Sequence, residues 1–329
     1  MQAPTHNSRI ASFVRGYFAR LDELGIASAV LHDWQGAFEN ELTDVDHVID
    51  ACAFPDVARI VSEYCAESGW RMCQVLRHET TAAYCVCSAA DDPGCAVALD
   101  ACSDYQRNGT VLLTAGELLA DRRPLPWGGF RLSETSELKY RMIKAAAKRK
   151  DAAVIGPELA GYPAVPREAC ETWLESRWGF RLEQWSVEGL ARAFTHLHRK
   201  TCNRAGFLQP ASLKRIAGRI LQPTGLFAIL HPGASKELSA GLRDTFGDLY
   251  FRRPSMAQGF GARTLLSIIR STIVFSARPG PFAALCPKSC RMRVSSTDAV
   301  SASHEIADFL HRRCHRREHL PTPSPSPCH

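Results

Sequence analysis

Asp44 and Asp46 stand two residues apart in the stretch Thr43-Asp44-Val45-Asp46-His47-Val48-Ile49, at the start of a β-branched run. In a strand, side chains at i and i+2 project from the same face. The two carboxylates therefore point the same way, while Val45 turns to the opposite side. Parallel carboxylates at close range repel each other unless a cation lies between them. Mg²⁺ suits such a pair, because it takes oxygen ligands and is held by one or two carboxylates together with substrate phosphates. The alternative is a polar strand edge with two solvated acids. A third acid, Asp100, ends the apolar run Cys95-Ala96-Val97-Ala98-Leu99. It is either a partner of the first two or a cap or salt-bridge residue at a strand end.

The elements that must position these acids follow from periodicity. Ile10, Phe13, Val14, Tyr17, Phe18, Leu21 and Leu24 have helical spacing, and Gly25 is placed as a C-cap. A short strand over 26–33 and a loop over 34–42 lead into the Asp-x-Asp strand. Phe54-Pro55-Asp56 opens a helix with the apolar stripe Val57, Ile60, Val61, Tyr64 and Cys65, ended by Gly69. Pro suits a first helical turn, and Asp suits its positive end. Strands over 70–78 and 81–88, a turn over 89–94 and a strand over 95–102 make an antiparallel meander that carries Asp100 toward Asp44 and Asp46. A helix over 133–150 follows, with Leu138, Met142, Ile143 and Ala146 on one face. Its other face carries Lys139, Arg141, Lys144, Lys148, Arg149 and Lys150. That face is either a solvated charge run or a surface turned toward phosphates, with Lys144 and Lys148 as nucleotide-binding candidates.

The order of helix, strand, loop, Asp-x-Asp strand, helix, strands and single-acid strand resembles the nucleotidyltransferase superfamily with the DNA polymerase β-like fold. The resemblance covers about residues 8–150. It is carried above all by LDELGIASAVLHDWQGAFENELTDVDHVID, which looks like a bacterial branch with a hydrophobic helix, Gly-Ile, Val-Leu-Arg, a loop and Ser-Asp-Ile-Asp. It implies that Asp44, Asp46 and Asp100 are catalytic and hold Mg²⁺, that the substrate is a nucleoside triphosphate, and that the acceptor is a small molecule, sugar or protein. Bacterial relatives of such architecture suggest a link to surface polysaccharide metabolism. The family's Gly-Ser pair at the loop start has no counterpart here. The matching residues are Leu31-His32-Asp33-Trp34, with Gly36 nearby, and His32 stands where the branch has Arg.

Beyond a Pro- and Gly-rich linker over 156–166, residues 166–218 read as a helical connector, with helices over 167–177, 182–198 and 211–221. A second motif follows. Gly225 to Leu230 is an apolar strand, His231-Pro232-Gly233-Ala234-Ser235 is a small-residue turn, and Lys236-Glu237-Leu238 begins a helix. A P-loop has this layout, with backbone N–H groups and a Lys around phosphate. The stretch resembles a thymidylate-kinase-like P-loop that has lost its first Gly, one residue of its length and the Ser-Thr after the Lys. Lys236 is a phosphate-binding candidate, and the resemblance implies no ATP hydrolysis. A strand over 248–251 and Arg252-Arg253-Pro254 fit the same family; a plain β-turn-α unit is the alternative.

The fold expected is therefore α/β. A nucleotidyltransferase-like α+β domain spans 1–155, a helical connector 156–222 and a degenerate P-loop kinase-like region 223–276. An irregular, disordered tail spans 277–329. If the Gly-Ser loss abolishes catalysis, the chain is instead a non-catalytic nucleotide- or phosphate-binding protein. Charge divides along the chain. Residues 1–130 carry 9 Arg, no Lys and 18 acids, whereas 131–329 carry 31 basic and 16 acidic residues. The halves attract each other, or the basic half meets phosphates; nucleic acid is not otherwise indicated. The 13 Cys lack metal-site spacing. The polar first eight residues and the absence of a long apolar run read as a cytoplasmic chain with reduced thiols and no membrane span.

Overall fold

The computed structural model describes residues 5–32, 43–202, 205–231, 233–247, 249–251, 255–256, 271–277 and 286–320. The architecture is mixed α/β. The first helix α1 (His6–Glu23) is capped by Thr5, whose side chain accepts from Ser8 N, and the chain turns at Gly25 with φ +68°. Strands β1 (Ser28–Val30) and β2 (Asp44–Ile49) pair antiparallel. Helix α2 (Val57–Glu67) is preceded by a 3-10 turn at Phe54–Asp56. Strands β3 (Trp70–Glu79), β4 (Ala82–Ala89) and β5 (Asp92–Cys102) form the expected antiparallel meander, but β5 lies parallel to β2.

A hairpin of β6 (Tyr105–Arg107) and β7 (Thr110–Leu113), a short helix α3 (Ala115–Leu119) and the two-residue strands β8 (Arg123–Pro124) and β9 (Phe130–Arg131) follow. The main sheet runs in the order β3-β4-β5-β2-β1-β9-β8. Helices α4 (Glu134–Lys148), α5 (Ala152–Ala160), α6 (Ala164–Trp178), α7 (Val187–Thr201) and α8 (Pro210–Leu221) come next. The stretch read as a linker over 156–166 is largely helical. Pro157 lies inside α5, where it forfeits one amide donor, and the helix continues to a stop at Gly161.

The second sheet is parallel throughout, in the order β11-β12-β10-β13, from β10 (Leu226–Ile229), β11 (Ser255–Met256), β12 (Ile273–Ser276) and β13 (Arg291–Arg293). Helix α9 (Lys236–Thr245) follows β10, and α10 (Ala299–Glu318) follows β13. Residues 249–250 form a turn rather than the strand expected over 248–251. The loop 34–42 with Gly36, the segment Arg252-Arg253-Pro254 and residues 321–329 lie outside the described residues.

The expectation of a disordered tail over 277–329 is corrected at 299–318. There α10 is capped by Asp298, which accepts from Ser301 N at 2.8 Å, and buries Ala302, Ile306, Ala307, Leu310 and Cys314. Those positions keep helical spacing, but the stripe is made mostly of Ala and Cys, so its apolar contrast is weak against eight basic residues of the same helix and its flanks.

Packing divides the main sheet into zones. One face carries Val45 and Ile49 of β2, Cys85 and Cys87 of β4, and Val97 and Leu99 of β5 into a core with α1 and α2. On the other face, Ala82, Cys102 and Val48 form one cross-strand row and pack with α4 and the helices after it. Further along that face, Val86, Ala96 and Ala98 pack with the second sheet, α9 and α10. Between these two cores lies the row Tyr84 of β4, Asp100 of β5 and Asp46 of β2, in direct register. Tyr84 packs against the core of the second sheet, and the two acids, partly exposed, belong to neither core among the described residues. Among the described residues no helix is long and apolar enough to cross a membrane.

Candidate functional site

The strand register brings the three acids together. Asp46 and Asp100 are paired residues of adjacent parallel strands, and Asp44 lies two residues before Asp46, on the same face, beside Ala98. The side chains of Asp46 and Asp100 are each about a quarter exposed or less, at 24% and 22%. Asp44 is the most open of the three. Its pKa is raised by partial burial of the carboxyl and then by the negative charges of Asp46 and Asp100. Asp44 therefore senses both of the other carboxylates.

Two basic groups meet Asp46. Lys144 Nζ of α4 donates to Asp46 Oδ2 at 2.7 Å, and His32 Nε2 lies 2.8 Å from the same oxygen. Lys144 Nζ and His32 Nε2 are themselves 2.6 Å apart. Burial acts to raise the Asp46 pKa, but the His32 hydrogen bond and the Lys144 charge outweigh it and hold the carboxyl well below its usual range. His32 follows β1, where Leu31 N donates to Asp46 O at 3.0 Å, so the strand pairing delivers the imidazole to the acid. Its ring stacks on Tyr140 of α4 at 5.9 Å between centroids. Asp100 Oδ1 lies 2.9 Å from His78 Nε2 of β3.

Lys144 reaches the acids because the apolar stripe Leu138, Met142 and Ile143 anchors α4 on the sheet, and Lys144 follows Ile143 at the boundary of that core. Lys148 is one turn further on. Burial and the Lys144 charge lower its pKa while Asp46 raises it, so it stands in the field of the same site. The rest of the basic face disperses. Arg141 pairs with Glu137 at 3.6 Å and with Glu158 of α5.

The donor chemistry fits a hard cation. Three carboxylates on two adjacent strands supply oxygen ligands of the kind Mg²⁺ takes. As the side chains stand, no group of three or more His, Cys, Asp or Glu among the described residues is gathered closely enough to hold a metal ion. Asp46 is drawn onto Lys144 and His32, and Asp100 onto His78, so the positive charge at these carboxylates comes from the protein itself.

Lys236 belongs to a different unit. It is the first residue of α9, exposed, and follows β10 as the P-loop layout requires. Three amides of that turn are already engaged. Gly233 N donates to His231 Nδ1 at 3.0 Å, Ala234 N to His231 O at 2.9 Å, and Leu238 N to Ser235 Oγ at 3.0 Å. A phosphate cradle needs such amides free. The neighbouring strand β12, Ile273–Ser276, carries no carboxylate.

His78 was not among the sequence candidates. Its alternation is hidden because the β3–β4 pairing slips between Met72 and Gln74 and again between Arg77 and Glu79. His32 was visible only as a departure from an Arg. Comparisons with protein-family models, with curated proteins and with solved structures return no match.

Proposed function

We propose that the chain is a nucleotidyltransferase, moving a nucleotidyl group from a nucleoside triphosphate to a hydroxyl-bearing acceptor. The observation that carries the reading is the register of Asp46 on Asp100, with Asp44 on the same face, in a row that runs between two hydrophobic cores. Two acids about three-quarters buried on adjacent strands, with an exposed third beside them, are costly for folding alone, and such a placement suits phosphoryl chemistry. Asp44, Asp46 and Asp100 are the residues to hold Mg²⁺, which when bound neutralises phosphate charge and orients the reacting oxygens.

The chain's own groups have separate roles. Lys144, anchored on Asp46 at 2.7 Å, offers its remaining ammonium hydrogens to an incoming phosphate. Lys148, one turn further along α4, adds a second positive charge on the same side. Asp100, held in orientation by His78 at 2.9 Å, is the carboxylate suited to take the proton of the acceptor hydroxyl. Asp44, the most exposed of the three acids, marks the side from which substrate approaches.

The resemblance to nucleotidyltransferases in the sequence supports the same assignment. The second reading, a non-catalytic phosphate-binding protein, is favoured by one observation: Lys144 and His32 already satisfy Asp46. Equilibrium binding of each nucleoside triphosphate, with Mg²⁺ and with EDTA, separates them. The nucleotidyltransferase reading expects Mg²⁺-dependent binding that Asp46→Asn removes while the fold melts normally. Equal binding by wild type and Asp46→Asn would overturn it.

A further inference from the structure

A second polar cavity lies away from the acids, where α8 ends, the chain enters β10, and α10 finishes. It has a volume of about 610 Å³ and is lined by Lys288, Arg312, Arg313, Arg316 and Arg317, with an apolar wall from Leu221, Pro223 and Phe309. Among the described residues no carboxylate lines it. We propose that this cavity binds a small polyphosphate-bearing molecule, with its phosphates on the arginines and Lys288 and any ring or apolar group against Phe309 and Leu221.

Three observations support the assignment. First, the positive charges converge from two elements. The arginines lie on the last turns of α10, where cations complement the negative end of a helix. Lys288 lies on a separate 3-10 segment, Lys288–Cys290, and that explanation does not reach it. Second, three of the five charges are uncompensated. Among the described residues no hydrogen bond or ion pair involves Lys288, Arg312 or Arg316, and all three are exposed. The acid nearest to Arg317, Glu318 at 3.9 Å, is shared with Arg77 at 3.1 Å, so the cations outnumber it. Like charges repel each other, and an anion removes the repulsion.

Third, the floor is built and held in place. Arg313 donates from Nη1 to Gly225 O at 2.7 Å and from Nη2 to Pro223 O. Its partners are neutral carbonyls, so its charge remains available to the cavity. Burial, and then the charge of Arg317, lower its pKa. Leu221 is 80% exposed at the rim, an apolar side chain with nothing over it. The volume is that of a small-ligand pocket, and the planar guanidinium forks suit phosphate oxygens. A concave site with four of its five cations within two turns of one helix suits a compact anion better than a long nucleic-acid backbone.

The test uses the full chain and inorganic triphosphate in EDTA, so that no Mg²⁺-dependent binding at the acids contributes. Titration calorimetry should give saturable, salt-sensitive binding. Arg312→Ala/Arg316→Ala should weaken it at least tenfold, and Lys288→Ala should weaken it several-fold. ATP binding more tightly than triphosphate at the same site would assign the apolar wall to a base. Arg312 and Arg316 are exposed and unpaired among the described residues, so a wild-type melting temperature is expected. Should the double variant melt early, Lys288→Glu on its separate segment gives the same reading. The proposal is overturned if wild type does not bind triphosphate in EDTA, if the arginine and Lys288 variants bind it as tightly as wild type, or if only a single-stranded oligonucleotide binds.

Discussion

Replacing Lys144 by Met removes one charge at the centre of the acid row while keeping an unbranched stem of similar length. At 2.7 Å from Asp46, a unit pair at an effective dielectric of about 20 attracts by roughly 6 kcal/mol before solvation is counted. Desolvation of the two ions offsets most of that, by several kcal/mol per fully buried ion. The side chains are 14% and 24% exposed, so the pair stands between a surface pair, at about 0–1 kcal/mol, and a buried pair broken on one side, at about 3–5 kcal/mol. We expect Lys144→Met to lower stability by about 2 kcal/mol in EDTA near pH 7, with Asp46 titrating closer to an ordinary carboxyl. The acids then repel each other with less compensation, and a divalent cation has more to gain. Urea unfolding should show the gap between variant and wild type narrowing when Mg²⁺ replaces EDTA, since a ligand of the native state stabilises in proportion to its affinity. A variant within about 0.5 kcal/mol of wild type in EDTA would mean that the contact is no stronger than an ordinary surface pair. A gap that Mg²⁺ leaves untouched would refute competition between ammonium and metal for Asp46.

Other expectations concern the second half. Glu305 accepts from Ser295 N at 2.9 Å, Ser295 Oγ at 2.8 Å and Ser296 N at 2.9 Å. Burial raises its pKa, but these bonds outweigh it and the net shift is downward. The stability it lends is therefore full above its unfolded pKa of about 4.3 and lost as pH falls through the lower folded value. Glu305→Gln should cost about 1–3 kcal/mol near neutrality, with the gap closing below about pH 4, as read by denaturation across pH. Leu310 is 2% exposed in the core between α10 and the main sheet. Leu310→Ala should cost about 2–5 kcal/mol by urea unfolding; a near-zero cost would mean that the C-terminal helix does not dock. Lys236→Ala should change neither stability nor ATP turnover, because Gly233 N and Leu238 N are bonded within the turn and the neighbouring β12 carries no carboxylate to hold a metal. Turnover removed by that change would identify a working P-loop.

What was legible in the sequence was what strand and helix periods dictate locally. Asp44 and Asp46 share a face because the strand period is two. Lys144 was legible only as part of a basic helix face, and its contact with Asp46 comes from how the stripe Leu138-Met142-Ile143 lays α4 on the sheet. The parallel pairing of β2 with β5 was not legible, since alternation records a face and not a neighbour or direction. His78 was hidden by two slips in the β3–β4 register. α10 was hidden by its composition: a stripe of Ala302, Ala307 and Cys314 between Ile306 and Leu310 has little apolar contrast, and the arginines beside it read as a charged tail.

The arrangement of the cores explains why the acids tolerate their position. Val48 and Cys102 on one side of the row, and Ala98 and Val86 on the other, are drawn in opposite directions into separate cores. The two sets of helices thus approach the same face of the sheet without meeting over Asp46 and Asp100. Small residues such as Ala96 and Ala98 let α10 and the second sheet approach closely at one end. The larger Tyr140 and Tyr105, in edge contact at 5.0 Å, form a wall at the other, where burial raises both phenol pKa values and keeps them protonated. The gap between is lined by carboxylates, imidazoles and one ammonium, groups that keep water or a polar ligand in place. A single core would have buried this row and forced the acids to neutralise; two cores leave it open. The second sheet and its terminal helix therefore contribute to the site by position, as one wall of the gap, even though Lys236 supplies nothing to it.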